Sequence, residues 1–189
     1  MSEQRHRIFS SATSPGWALP VLRGYLAVVF IDGGVSKVAD RRFLNGASPL
    51  SMHASVQAAR ASSPIRGLLG PVAGHSFAFG VLISVAELAV GLGMAFGLFT
   101  RVAAAGGMLL ALSLWLTVSW GASPWFTSAD LVYLFAFTPF LIAGAGGVWS
   151  ADAWLSGARV AHPGGSEDRL RRGLLAAAVA VAGAALLGA

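Results

Sequence analysis

The stretch SFAFGVLISVAELAVGLGMAFGLF, Ser76 to Phe99, holds one ionisable side chain, Glu87, in 24 residues. As an α-helix it would be about 36 Å long, enough to cross a hydrocarbon core of ~30 Å. The same pattern recurs on either side, over Trp17–Ala39, Val102–Trp120 and Leu131–Trp149. The sequence therefore predicts an all-α membrane protein, a four-helix transmembrane bundle. The Ala, Val and Leu run Gly173–Ala189 reads as an additional C-terminal fifth helix, at the short limit for a span.

Composition agrees with that class. Hydrophobic residues make up 56% of the 189 and charged residues 11%, and the mean hydropathy is +0.70, more apolar surface than one water-soluble core could hide. Residues 1–16 form a cytoplasmic tail, 17–155 the four-helix domain with an external loop at 40–75, 156–172 a basic cytoplasmic linker, and 173–189 the additional helix. Arg23 interrupts any short apolar signal-peptide region, so the first span reads as retained. The net charge of +5 sits mainly beside apolar segments, where it meets anionic headgroups rather than nucleic acid. The chain has no cysteine, which removes disulfides, thiol redox chemistry, iron–sulfur ligation and cysteine-based zinc sites. His53 and His75 lack helical ligand spacing, so no metal or haem site is expected.

Spans 2 and 3 meet at Thr100–Arg101, which forces an antiparallel hairpin. Thr127 and Asp130 have the spacing of a capping box for the fourth span. Between spans 1 and 2, Leu50–Ala61 is compatible with a helix, flanked by Pro49 and Pro64, lying either in the membrane interface or in solvent. Alternating spans place Arg5, Arg7, Arg101, Arg159, Arg169, Arg171 and Arg172 on one side and Lys37, Arg41, Arg42, Arg60 and Arg66 on the other. The bias predicts a multi-pass plasma-membrane protein with a cytoplasmic N-terminus, and Trp17, Trp120, Trp125, Trp149 and Trp154 near the interfaces.

Charges within spans are costly and point to a partner or cavity. Four stand out: Arg23, Asp32 and Lys37 in span 1, and Glu87 in span 2. Glu87 lies about 16 Å along its helix and must be protonated, paired or hydrated. At 100° per residue Arg23 and Lys37 fall within about 40° of each other, with Asp32 nearly opposite Arg23. One face of span 1 thus offers two cations to the bundle interior, and Glu87 is the natural partner for one of them.

The segments Leu22-Arg23-Gly24, Phe30-Ile-Asp-Gly-Gly-Val-Ser-Lys37, Glu87-Leu-Ala-Val-Gly91 leading into Gly97-Leu-Phe-Thr-Arg101, and Gly144-Ala-Gly with Ser150-Ala-Asp152 resemble the DoxX/DoxD family of small membrane proteins over about residues 20–155. The resemblance implies a four-helix membrane bundle. It also implies kinship with the small membrane subunit of a thiosulfate:quinone oxidoreductase and with members of redox-stress complexes. The C-terminal run and the charge at Asp32 depart from the family pattern.

Two readings of the charged network stand side by side. In one, Glu87 with Arg23 or Lys37 and the small residues around Gly91 hold the helices in register. In the other, Glu87 handles protons for a bound quinone, with Arg23, Asp32, Lys37, Arg101, Trp115 and Tyr133 as the polar network or pocket lining; proton or small-solute transport is a third use. Trp115 and Tyr133 also read as packing residues, and Arg101 as a cap on the hairpin that touches headgroups. No covalent cofactor or metal is expected, and quinone is the one redox molecule implied. The chain is then either a quinone-linked redox subunit acting with membrane or peripheral protein partners, or a non-catalytic structural or assembly subunit of a larger membrane complex.

Overall fold

The computed structural model describes residues 18–146 and 149–155, in which every regular element is helical. The N-terminal tail, the basic linker and the additional C-terminal run, 1–16, 156–172 and 173–189, lie outside the described residues. Three helices are long and apolar enough to cross a membrane: α1 (Ala18–Ala39), α5 (Ser76–Phe96) and α6 (Thr100–Thr117). Three short helices join α1 to α5, namely α2 (Arg41–Leu44), α3 (Met52–Ala59) and α4 (Arg66–Gly74). After α6 come α7 (Ala129–Ala136), α8 (Thr138–Ala143) and α9 (Ala151–Leu155).

The most extensive helix pair is α1 with α5, while α6 packs against α5, α7 and α8. Small residues allow the first contact. A Cβ at Gly91 would lie 2.8 Å from the backbone N of Ile31, and one at Gly34 would lie 3.0 Å from the carbonyl of Ser84. Only glycine lets the two backbones approach so closely. Beneath this contact Leu26, Phe30, Val90, Met94, Ala104, Phe137 and Phe140 form the core, with Phe30 edge-on to Phe137 at 5.0 Å between ring centroids.

The outer surface inverts the order of a water-soluble protein. Leu109 is 69% exposed and Ile142 72%, and Phe96, Val102 and Phe135 also point outward. So much apolar side chain turned away from the core fits hydrocarbon as the surrounding solvent, and the lipid bilayer is this protein's environment.

The fourth apolar segment is shorter than the expected Leu131–Trp149. It runs Ala129–Ala143 and divides after Ala136 into α7 and α8. Pro139 is the cause: it has no N–H to give and its ring crowds the carbonyl four residues earlier. Gly144, at φ +69°, then ends α8 well before Trp149. The start is also capped differently. Ser128 accepts from the Asp130 N–H at 3.2 Å, whereas the Thr127 hydroxyl donates to the Pro124 carbonyl at 2.7 Å, so the Thr127–Asp130 box does not form.

The loop between α1 and α5 is a packed cap. Ser51 caps α3 by accepting from the Ala54 N–H, and Val56 and Ala59 of α3 bury against Leu69 and Ala73 of α4. His53 Nδ1 lies 3.1 Å from the Ala73 carbonyl, and the Ser63 hydroxyl donates to the Leu116 carbonyl at 2.8 Å. Leu50–Ala61 thus holds a helix, with its buried face turned to α4. The molecule has a cap end, at α2–α4, and a hairpin end, where Gly97 (φ +60°) and Phe99 (φ 47°) turn α5 into α6.

Candidate functional site

Lys37 and Glu87 form the one buried ion pair among the described residues, with Nζ 2.7 Å from Oε2 and 2.9 Å from Oε1. Lys37 stands near the cap end of α1, but helical side chains lean toward the helix N-terminus. The ammonium therefore reaches back one turn, to the level of Gly33, whose carbonyl accepts from Nζ at 3.3 Å. Gly33 also makes room for the pair, since a Cβ there would lie 3.3 Å from Glu87 Oε2. The Glu87 side chain is 6% exposed and that of Lys37 26%, so the carboxylate is enclosed and the ammonium opens to one side. Such a pair can hold two helices together. It can also pass a proton, because carboxylate, ammonium and an outside edge share one short path.

Arg23 sits elsewhere, about 21 Å from Lys37 along α1. It is 5% exposed and donates to the carbonyls of Ala145, at 3.3 Å, and Trp149. Asp152, on α9, completes this cluster by accepting from the N–H groups of Phe99 at 2.7 Å and Thr100 at 2.8 Å. It closes the N-terminus of α6, where unpaired N–H groups and the helix dipole favour an anion. Burial alone would raise the Asp152 carboxyl, but the N–H groups of Thr100 and Phe99 and the Arg23 charge outweigh it and hold it below the usual carboxylate range. Gly97 belongs to the same construction, for a Cβ there would lie 2.7 Å from Arg23 Nη1.

The remaining candidates are spread out. Arg101 donates from Nη2 to the Ile142 carbonyl at 3.0 Å and, with Ser150 and Asp152, lines an open cleft of about 550 Å³ at the hairpin end. Trp115 packs edge-on to Trp120 at 5.1 Å. Tyr133 lies between Tyr25, at 6.5 Å, and Phe30, at 6.1 Å. Asp32 is exposed on α1 and has no partner among the described residues. The structure thus joins Lys37 to Glu87 and leaves the other five apart from that pair. Asp152 was missing from the candidates; its signal was the motif Ser150-Ala-Asp152, which falls beside the Gly97–Phe99 turn and the start of α6 only once the helices are folded.

Among the described residues no group of three His, Asp or Glu side chains is placed to hold a metal ion. A family model described as TQO small subunit DoxD matches residues 18–158. Searches of curated proteins and of solved structures found no match.

Proposed function

This chain belongs to the DoxD family, described as the TQO small subunit, and we propose on that basis that it is a quinone-linked redox membrane subunit that works with partner proteins. The observation that carries the reading is the enclosed Lys37–Glu87 pair in the interior of a membrane protein. A quinone takes up two electrons and two protons on reduction and releases them on oxidation. Electrons would come from a donor bound by a partner, since no redox-cofactor motif is legible in the sequence. Glu87 is the group in this chain suited to carry the protons, and Lys37 holds it in place.

The residues present fit a quinone carbonyl in one respect. All three ammonium N–H groups of Lys37 are used, and the longest contact, 3.3 Å to Gly33, leaves that donor the easiest to redirect. In this reading α7 and α8 complete a four-helix bundle, 173–189 adds a fifth span, and the N-terminus is cytoplasmic in the plasma membrane. The test is native mass spectrometry of the full chain extracted from its own membrane in mild detergent. A quinone mass retained in the parent and in Glu87→Gln is expected; a stable protein partner with no quinone in either form would overturn the redox reading.

A second reading, a non-catalytic assembly subunit, is favoured by the completeness of the pair. Both Glu87 oxygens are bound by Lys37, and Gly91 and Gly34 lock the same two helices. It predicts that Glu87→Gln loses the folded chain from the membrane along with any activity.

A further inference from the structure

The face of α1 turned away from the core carries Val21, Tyr25, Asp32, Val35 and Ser36, all exposed, with Val21 at 59% and Val35 at 49%. Apolar residues there need no explanation in a bilayer; a carboxylate does. Asp32 lies about 21 Å from the hairpin end of α1 and about 10 Å from the cap end. Its side chain leans toward the helix N-terminus, away from the nearer end, and is too short to reach water as Lys or Arg can. A carboxylate exposed to hydrocarbon is costly and calls for a partner.

Among the described residues none is placed at that depth to pair with it. Lys37 is committed to Glu87 and Arg23 to the carbonyls of Ala145 and Trp149, while Arg101 lies at the hairpin end. A second copy lying parallel would bring the same committed cations. Gly173–Ala189 contains no polar or charged side chain, so covering Asp32 with it would bury the carboxylate unsatisfied.

We propose that this face of α1 is the docking surface for a membrane-spanning helix of another protein that carries a basic side chain at the depth of Asp32. The proposal rests on the reading above that the chain works with partner proteins, and adds where and by what chemistry one of them binds.

The absence of cysteine makes the experiment direct. The full chain with Val35→Cys, labelled with a benzophenone maleimide in its own membrane, is photolysed and the crosslinked peptides are sequenced. The expected product is an adduct to a membrane-spanning segment of another protein that contains Lys, Arg or His. Its yield should fall about tenfold with Asp32→Ala and survive Asp32→Glu. Reversing the charge of that basic residue should also abolish the adduct, and pairing it with Asp32→Lys should restore it. Adducts to lipid alone, to a second copy or to residues 173–189 would overturn the proposal, as would a yield indifferent to Asp32→Ala. Lipid-only adducts in membranes that reduce quinone would refute this face while leaving the redox reading intact. The expected adduct in membranes whose chain retains no quinone would support the face and count against the redox reading.

Discussion

Among the described residues, the two charged clusters inside the helix packing differ in what holds them. Arg23 and Asp152 at the hairpin end spend their hydrogen bonds on backbone: the carbonyls of Ala145 and Trp149, and the N–H groups of Phe99 and Thr100. Lys37 and Glu87 spend theirs mainly on each other. A cluster that satisfies backbone groups fixes turns and has no other state to adopt. A side-chain pair can exchange its proton or its partner without breaking a helix, which is why the second, and not the first, is the candidate for chemistry.

The largest effect should come from the fixed cluster. Arg23→Met leaves the carbonyls of Ala145 and Trp149 without their donor, and should cost about 2–6 kcal/mol at about 1–3 for each unsatisfied group, read as a loss of folded chain and a lowered thermal midpoint in detergent. Lys37→Met alone should approach the same cost by stranding Glu87. Lys37→Met with Glu87→Leu should return to within about 1 kcal/mol of the parent, because replacing both partners of a buried pair by apolar groups is often neutral. No such rescue should follow Arg23→Met with Asp152→Leu, since the backbone groups stay unsatisfied; equal rescue at both sites would erase the distinction.

A smaller effect is expected where the pair depends on helix contact. Gly91→Ala places a methyl 2.7 Å from the Ile31 side chain and 2.8 Å from its backbone N, and should cost about 1–3 kcal/mol by forcing α1 off α5. The smallest effect concerns pH. The Asp152 carboxyl is held below its ordinary value in the folded chain, so its contribution is present above the unfolded carboxylate value of ~3.9 and fades as pH falls through the folded one. Thermal midpoints measured on acidification should therefore drop less steeply in Asp152→Asn than in the parent.

The spans were legible because hydropathy and length decide them; α5 lies within the predicted Ser76–Phe99, ending at Phe96 where Gly97 turns. Angular position on one helix also placed Lys37 and Arg23 on one face with Asp32 nearly opposite, but reading Asp32 into the pocket lining did not follow from that angle, and the side chain is exposed. The break after Ala136 was written in Pro139, a residue that a hydropathy average passes over. Helix α4 was not legible. Gly67, Gly70, Pro71 and Gly74 argue against a helix locally, and burial of Leu69 and Ala73 against α3 overrides them. Asp152 was hidden for a different reason: its partners Phe99, Thr100 and Arg23 are remote in sequence, and no local spacing announces a side chain that caps a helix from 52 residues away.

The most direct test of the central claim is the quinone-reduction rate of membranes carrying Glu87→Gln, normalised to the folded chain present. Glutamine can keep hydrogen bonds to Lys37 but cannot carry the proton, so the account predicts a loss of about 100-fold or more in turnover with the chain still folded and assembled. Turnover retained near the parent rate, or turnover and folded chain lost together, would contradict it and leave the Lys37–Glu87 pair as a fastening between two helices.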